Sequence, residues 1–256
     1  MVAVGYAASL PIREERSLFE FETRMPRPGE RDLLVRVKAI SVNPVDVKVR
    51  MRKQGTAAEP VILGWDAAGI VEAVGRDCSL FKPGDHVFYA GDINRAGTNA
   101  PFHVVDERIV GRKPKSIGFA HAAALPLTTI TAWELLFDRI GVKRGAGADQ
   151  RSLLLVGGAG GVGSIAIQLA RKLTGLIVIA TASREQTRDW VKGPRRPARD
   201  RSQPAVRPAA EGCGLCRRRH RACAHRHPAQ CRADPGGYLA ARPPRLDRGG
   251  RFAAGL

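Results

Sequence analysis

The sequence predicts an α/β chain: a small antiparallel β domain, followed by the opening part of a doubly wound parallel sheet. Two observations carry this expectation. Short apolar stretches of period two, punctuated by Gly and Pro, fill the first 110 residues, and a strand, a glycine turn, a helix and a second strand follow from Ser152. A third observation limits it, because the composition changes abruptly after Lys192.

The period-two stretches are SLFEFET near residue 20, LLVRVKAISV (33–42), AAGIVEAVG (67–75), DHVFYA (85–90) and FHVVDERIV (102–110). Alternation bounded by turn residues predicts an antiparallel barrel or sandwich. In FKPGDHV, Pro83 presets φ and Gly84 accepts the positive φ of a tight turn. From residue 118 the pattern becomes helical in GFAHAAALPLTTITAWELLFDRIGV, where Pro126 either separates two short helices or opens the second.

The next segment, RSLLLVGGAGGVGSIAIQLARKLTGLIVIATASR, reads as a buried strand (Ser152 to Val156), a helix (about Val162 to Leu173) and a second buried strand (Leu176 to Ala180). Within it, Gly158, Gly160 and Gly163 fit G-x-G-x-x-G, with Ala159, Gly161 and Val162 completing the turn. The first glycine is expected to make the tight turn, the second to let the backbone approach a pyrophosphate, and the third to let helix and strand pack closely. The helix N-terminus then offers N–H groups and a positive dipole end to phosphates. A glycine turn without a ligand is the alternative. An NAD site would place a carboxylate near the end of the second strand, whereas this strand ends Thr181, Ala182, Ser183, Arg184. A hydroxyl and a guanidinium suit a 2′-phosphate, so NADP(H) is the expected cofactor; otherwise Arg184 is a solvated residue opening the next helix.

Taken in order, SVNPVDVKVR, GWDAAGIVEAVG, KPGDHV, AAALPLTTITAWELL and GGAGGVGSIAIQLA resemble the medium-chain dehydrogenase/reductase superfamily, over about residues 1–192. The chain is most similar to its quinone oxidoreductase branch and to the proteins called zinc-type alcohol dehydrogenase-like. The resemblance implies a GroES-like β-barrel domain over 1–117 and the first βαβ part of a Rossmann domain over 118–192. It also implies hydride transfer between NAD(P)H and a quinone, enone or small carbonyl, and a homodimer for intact members.

The metal implied by the zinc-type name does not match the residues. The ligand positions of the zinc enzymes read Asn43, Trp65 and about Leu127, none of which supplies thiolate or imidazole. Cys78 is the only cysteine before residue 213, so the four-cysteine structural lobe is missing too. A zinc-independent mechanism is therefore expected, with hydrogen-bond donors stabilising the developing negative charge. Asn43 is the candidate polar group where a metal ligand is lost, and Thr131 the candidate hydroxyl beside the nicotinamide. Their plainer readings are a turn residue before Pro44 and a helix-interior Thr. Asp46 and Asp66 read as structural, and His86, His103 and His121 as ordinary β-surface or helix residues.

The formal charge of +18 is uneven. Residues 1–192 hold 27 Lys+Arg against 20 Asp+Glu, and residues 193–256 hold 15 Arg against 4 acidic residues, with no Lys, Ile, Asn, Thr or Met. A segment this poor in branched apolar residues buries too little to offset the entropy of ordering it, and 193–256 is expected to be mostly irregular. Its cluster CGLCRRRHRACAHRHPAQC offers Cys213, Cys216, His220, Cys223, His225, His227 and Cys231 as zinc ligands, or its arginines as a nucleic-acid arm. Arg crowds the first option, and the absence of Lys argues against the second. A shifted reading frame of a GC-rich gene accounts better for the Arg, Ala, Pro and Gly. On that expectation the chain is a truncated, impaired product whose dimer-forming sheet is lost. The competing class is a nonenzymatic protein that binds nucleotide, or binds zinc or nucleic acid through the tail. No apolar run reaches the roughly 18–20 residues of a membrane span and no signal peptide is evident, so a cytoplasmic location is expected.

Overall fold

A computed structural model describes residues 1–145 and 151–192, together with the backbone of 207–208. The Cys213 to Cys231 cluster lies outside the described residues, as does the rest of the tail. The chain divides into two compact units, Met1–Ile130 and Thr131 onward.

The first unit is built of antiparallel strands. β1 (Val2–Tyr6) lies between β2 (Phe19–Glu22) and a short β4 (Val61–Ile62). β3 (Asp32–Ser41), β5 (Asp66–Val74), β6 (His86–Ala90), β7 (Phe102–Asp106) and β8 (Val110–Arg112) form a five-stranded sheet in the order β7-β3-β5-β6-β8. The run at 102–110 thus splits into two strands around a 3₁₀ turn at Glu107–Ile109. Leu33, Val35, Ala67, Val71, Val87, Tyr89 and Val105 make the core of this sheet. The ladder of β3 with β5 shifts register between Leu34 and Val35 and between Val37 and Ala39, irregularities of the kind that let a sheet curl. Gly84 has φ of 90°, as the turn before β6 required.

Helix α1 (Pro44–Arg52) follows β3, opened by Pro44 at its first position. The N-terminus of PVDVKVR is fixed as a helix. Asn43 is the N-cap and forms a capping box with Asp46, whose Oδ2 accepts from the Asn43 N–H at 2.7 Å. Helix α2 (Phe119–Ala123) sets Ala122 and Ala123 against Ala68 of β5, where three small side chains permit close approach. Its packing on β3, β5 and β6 explains why the first unit runs to Ile130. Pro126 is the first residue of α3 (Pro126–Trp133), so both helices foreseen around it form.

In the second unit, α3 continues into a π-helical turn, Glu134–Arg139. β9 (Ser152–Leu155), α4 (Gly161–Leu173) and β10 (Ile177–Ala180) form the expected βαβ element, and α5 (Glu185–Lys192) follows. Strands β9 and β10 are parallel, pairing Leu153 with Val178 and Leu155 with Ala180. Leu153, Val178 and Ala180 join Ala166, Ile167 and Ala170 of α4 in one core. A two-residue strand, β11 (Arg207–Pro208), pairs parallel with β10 and gives the order β11-β10-β9. Two residues of the segment expected to be mostly irregular thus join the sheet. Ladder pairing is a backbone property and requires no apolar run, and Pro208, lacking an N–H, suits a ladder that stops there.

Candidate functional site

Two groups of predicted residues assemble, one in each compact unit. In the second unit the glycine turn connects β9 to α4. The residue that turns the chain is Gly157, at φ of 73°, and not Gly158 as the fingerprint suggested. Gly158 has a packing role instead: a Cβ there would meet the Ala180 Cβ at 2.8 Å and the Ile167 Cδ1 at 3.1 Å. At Gly163 a Cβ would stand 2.7 Å from the Gly157 carbonyl oxygen and 2.8 Å from the Gly158 Cα, so this glycine is what lets α4 start against the turn. Gly160 is the N-cap of α4, and the Ser164 N–H donates to its carbonyl. The N–H groups of Gly161, Val162 and Gly163 therefore occupy the first turn, where a helix has no intrahelical acceptors to offer.

The turn is tied to the end of β10. The Gly157 N–H donates to Thr181 Oγ1 at 3.0 Å, and the Gly158 N–H to the Thr181 carbonyl at 2.9 Å. Thr181 thus serves the backbone, while Ser183 and Arg184 are both exposed. Arg184 sits just before α5, its N–H donating to Thr187 Oγ1 at 3.1 Å while the Thr187 hydroxyl donates to the Arg184 carbonyl at 2.7 Å. The backbone from which the guanidinium projects is therefore held. Thr131 is exposed on the last turn of α3.

In the first unit, Asp66 gathers residues that are distant in sequence. Asn43 Nδ2 donates to Asp66 Oδ2 at 2.8 Å, and the Leu127 N–H donates to Asp66 Oδ1 at 2.9 Å. One carboxylate so joins the N-cap of α1, the start of β5 and the first turn of α3. Asp66 is fully buried, and burial pushes its carboxyl up to about 6, opposed by the Asn43 and Leu127 hydrogen bonds and reinforced by the nearby Asp46 charge. Of the three positions compared with zinc ligands, Asn43 and Leu127 meet at Asp66. Trp65 does not, since its indole N–H donates to the Asp92 carbonyl at 3.1 Å. Among the described residues no group of three or more His, Cys, Asp or Glu is placed to hold a metal ion.

His103 corrects the surface reading given to it. Only 4% exposed, it stacks on Tyr89, with Nδ1 3.1 Å from the Tyr89 hydroxyl and Nε2 3.0 Å from the Ala96 carbonyl oxygen. Burial depresses it to about 4, and burial likewise raises the Tyr89 hydroxyl. In a strand, alternation announces which face a residue takes but not whether that face is covered. A cavity of about 530 Å³ in the first unit is lined by Phe21, Lys53, Glu59 and Arg95 among others, none of them a predicted site residue. No described helix is long and apolar enough to cross a membrane.

Comparison with known proteins finds a family match and several relatives. Residues 29–127 match the alcohol dehydrogenase GroES-like domain. A zinc-type alcohol dehydrogenase-like protein of Staphylococcus aureus is 50% identical over 192 residues, which is 74% of this chain and 56% of that protein. A structure of a putative zinc-dependent alcohol dehydrogenase from Rhizobium etli superposes with a TM-score of 0.70 at 59% identity, covering 75% of this chain and 56% of that one. Escherichia coli quinone oxidoreductase, solved with NADPH, gives a TM-score of 0.60 at 28% identity, covering 73% of this chain and 54% of that one. The chain spans just over half the length of the curated relatives it matches.

Proposed function

We propose that this chain, which belongs to the medium-chain dehydrogenase/reductase superfamily, carries the NADP(H)-binding and polar-site machinery of a zinc-independent reductase of quinones, enones or small carbonyls. The observation that carries the reading is the glycine turn, locked by Thr181 and followed by Ser183 and Arg184 at the end of β10. Gly158 and Gly163 stand where a Cβ would collide with backbone or core, which leaves the turn narrow enough for a pyrophosphate to reach the N–H groups of Gly161, Val162 and Gly163. Gly160 and Ala159 complete that cradle. A bound NADPH supplies hydride from the nicotinamide ring. Ser183 and Arg184 would hold the 2′-phosphate through a hydroxyl donor and a guanidinium. Asn43 would offer its amide to the oxygen on which charge develops, and Thr131 would offer a hydroxyl donor.

Zinc independence rests on donor chemistry. The Asn43 amide nitrogen donates to Asp66 and the Trp65 indole donates to Asp92, so neither position presents a lone pair suited to zinc. The domain assignment follows the same reading: a GroES-like unit, the opening of a Rossmann unit, and a tail of other origin. Because the chain spans just over half of its relatives, the reaction is assigned to the catalytic form those relatives represent, as a homodimer in the cytoplasm.

Titration of the chain with NADPH, followed by cofactor fluorescence with metal analysis of the same sample, tests this. Binding without stoichiometric zinc is expected, and Arg184→Ala should weaken NADPH by roughly tenfold while leaving NADH within about twofold. Zinc without cofactor binding would overturn the reading in favour of metal held by the Cys213 to Cys231 cluster.

A further inference from the structure

We propose that Asp66 is a positioning residue of this site, fixing which end of the Asn43 amide faces it and fastening that amide to the first turn of α3. This rests on the reading of Asn43 as the polar group of the site. An amide side chain has two ends of nearly equal shape and opposite hydrogen-bond character, so its orientation is decided by its partners. On one side of Asn43 stands Asp66, a pure acceptor when ionised, which takes Nδ2 at 2.8 Å. On the other stands the capping box, in which the Asn43 side chain faces the Asp46 backbone N–H. Acceptor on one side and donor on the other select a single orientation. Both partners favour the same orientation, and Asp66 is the one that takes the amide nitrogen directly, at 2.8 Å.

The carboxylate is needed for a second reason. Asp66 receives two donors, Asn43 Nδ2 on Oδ2 and the Leu127 N–H on Oδ1. The nearly isosteric Asn has one acceptor oxygen and one NH₂, so it satisfies one of these donors and confronts the other with a second donor. Since Asp66 is fully buried, no solvent relieves that conflict. Glu retains two acceptor oxygens. Asp66→Asn and Asp66→Glu therefore separate hydrogen-bond character from bulk: the smaller change in shape should do the greater damage.

The readout is the Asn43 side-chain NH₂ pair in the ¹⁵N-labelled full-length chain, identified by its loss in Asn43→Ser. In the parent and in Asp66→Glu, one proton of the pair should be shifted by its carboxylate acceptor and exchange slowly; in Asp66→Asn the pair should move to free-amide values. In the catalytic form that its relatives represent, with NADPH and a quinone acceptor, Asp66→Asn should lower kcat by roughly a hundredfold with the KM for NADPH unchanged, and Asp66→Glu by no more than roughly tenfold. An Asn43 amide indifferent to Asp66→Asn overturns the proposal. So does general loss of dispersed signals from residues 1–130 in both variants, which would make Asp66 a packing residue only. If the amide behaves as expected and the catalytic form does not turn over NADPH, the positioning role stands and the hydride-transfer reading fails.

Discussion

The strands of the two compact units are alike in composition and unlike in cover. Leu33 and Leu153 both sit in apolar strands and both are buried, at 0% and 2% exposure, yet Leu34 next to the first is 7% exposed and Leu154 next to the second is 46%. In the first unit both faces of β3 are covered at its start, where Asp32, Leu33, Leu34 and Val35 are all buried. In the second, α4 covers the face of Leu153 and Val178, while Leu154 and Ile177 stand on the other face, both more than two-fifths exposed among the described residues. Burial is conferred by what lies over a strand, and runs such as LLLV ask for cover that they do not themselves supply.

The sharpest way to break this comparison is a pair of identical truncations. Leu33→Ala should destabilise by about 3 kcal/mol and Leu154→Ala by less than about 1 kcal/mol in chemical denaturation of the chain; equal losses would mean that Leu154 is covered in solution. Next in size, Gly163→Ala drives a methyl to within 2.7 Å of the Gly157 carbonyl oxygen, so α4 must retreat from the turn at a cost of about 2 kcal/mol. NADPH affinity should fall at least tenfold while the barrel's spectroscopic signature is unchanged.

The barrel can also be probed by pH. Asp66 is raised from 3.8 to about 6, so the folded chain holds a proton that the unfolded chain has released, and this group's contribution falls as pH rises across that window. His103 is lowered from 6.5 to about 4, so the unfolded chain binds the extra proton and stability rises with pH across its window. The two oppose each other between about 4 and 6, and a nearly flat Tm is expected there. His103→Gln leaves Asp66 unopposed, so stability should decline from pH 4 to pH 6 by on the order of 2 kcal/mol, and Tm with it; a flat profile in the variant would show that Asp66 is not buried as described. The smallest effect belongs to Ile177→Thr, at 44% exposure, where stability should change by less than about 0.5 kcal/mol while light scattering of the concentrated chain falls.

Much of the barrel and nearly all of the βαβ element were legible as periodicity. Gly84, Pro126 and the extent of β10 followed from local chemistry, because each is settled within a few residues. The misses have physical causes. PVDVKVR, to which periodicity assigned no element, is a helix whose start is set by Asn43, Pro44 and Asp46. The turning glycine fell one position before the fingerprint because φ is decided by the path from β9 to α4, while the fingerprint marks close contacts. The meeting of Asn43, Asp66 and Leu127 joins residues up to 84 positions apart. No local signal announces it; comparison of GWD and LPLTT with ligand positions pointed to two of its three members and chose Trp65 where Asp66 is the one that reaches in.

If the glycine turn holds a pyrophosphate as proposed, the bond from the Gly157 N–H to Thr181 Oγ1 makes it an instrument for reading strand registry. A slip of β10 by one residue would carry the Thr181 side chain to the opposite face of the sheet, and the turn would lose the acceptor that shapes it. Affinity for a pyrophosphate is thereby a measure of how faithfully two neighbouring strands are aligned, and a weak anion such as inorganic pyrophosphate should protect β9 and β10 from hydrogen exchange together, as one element.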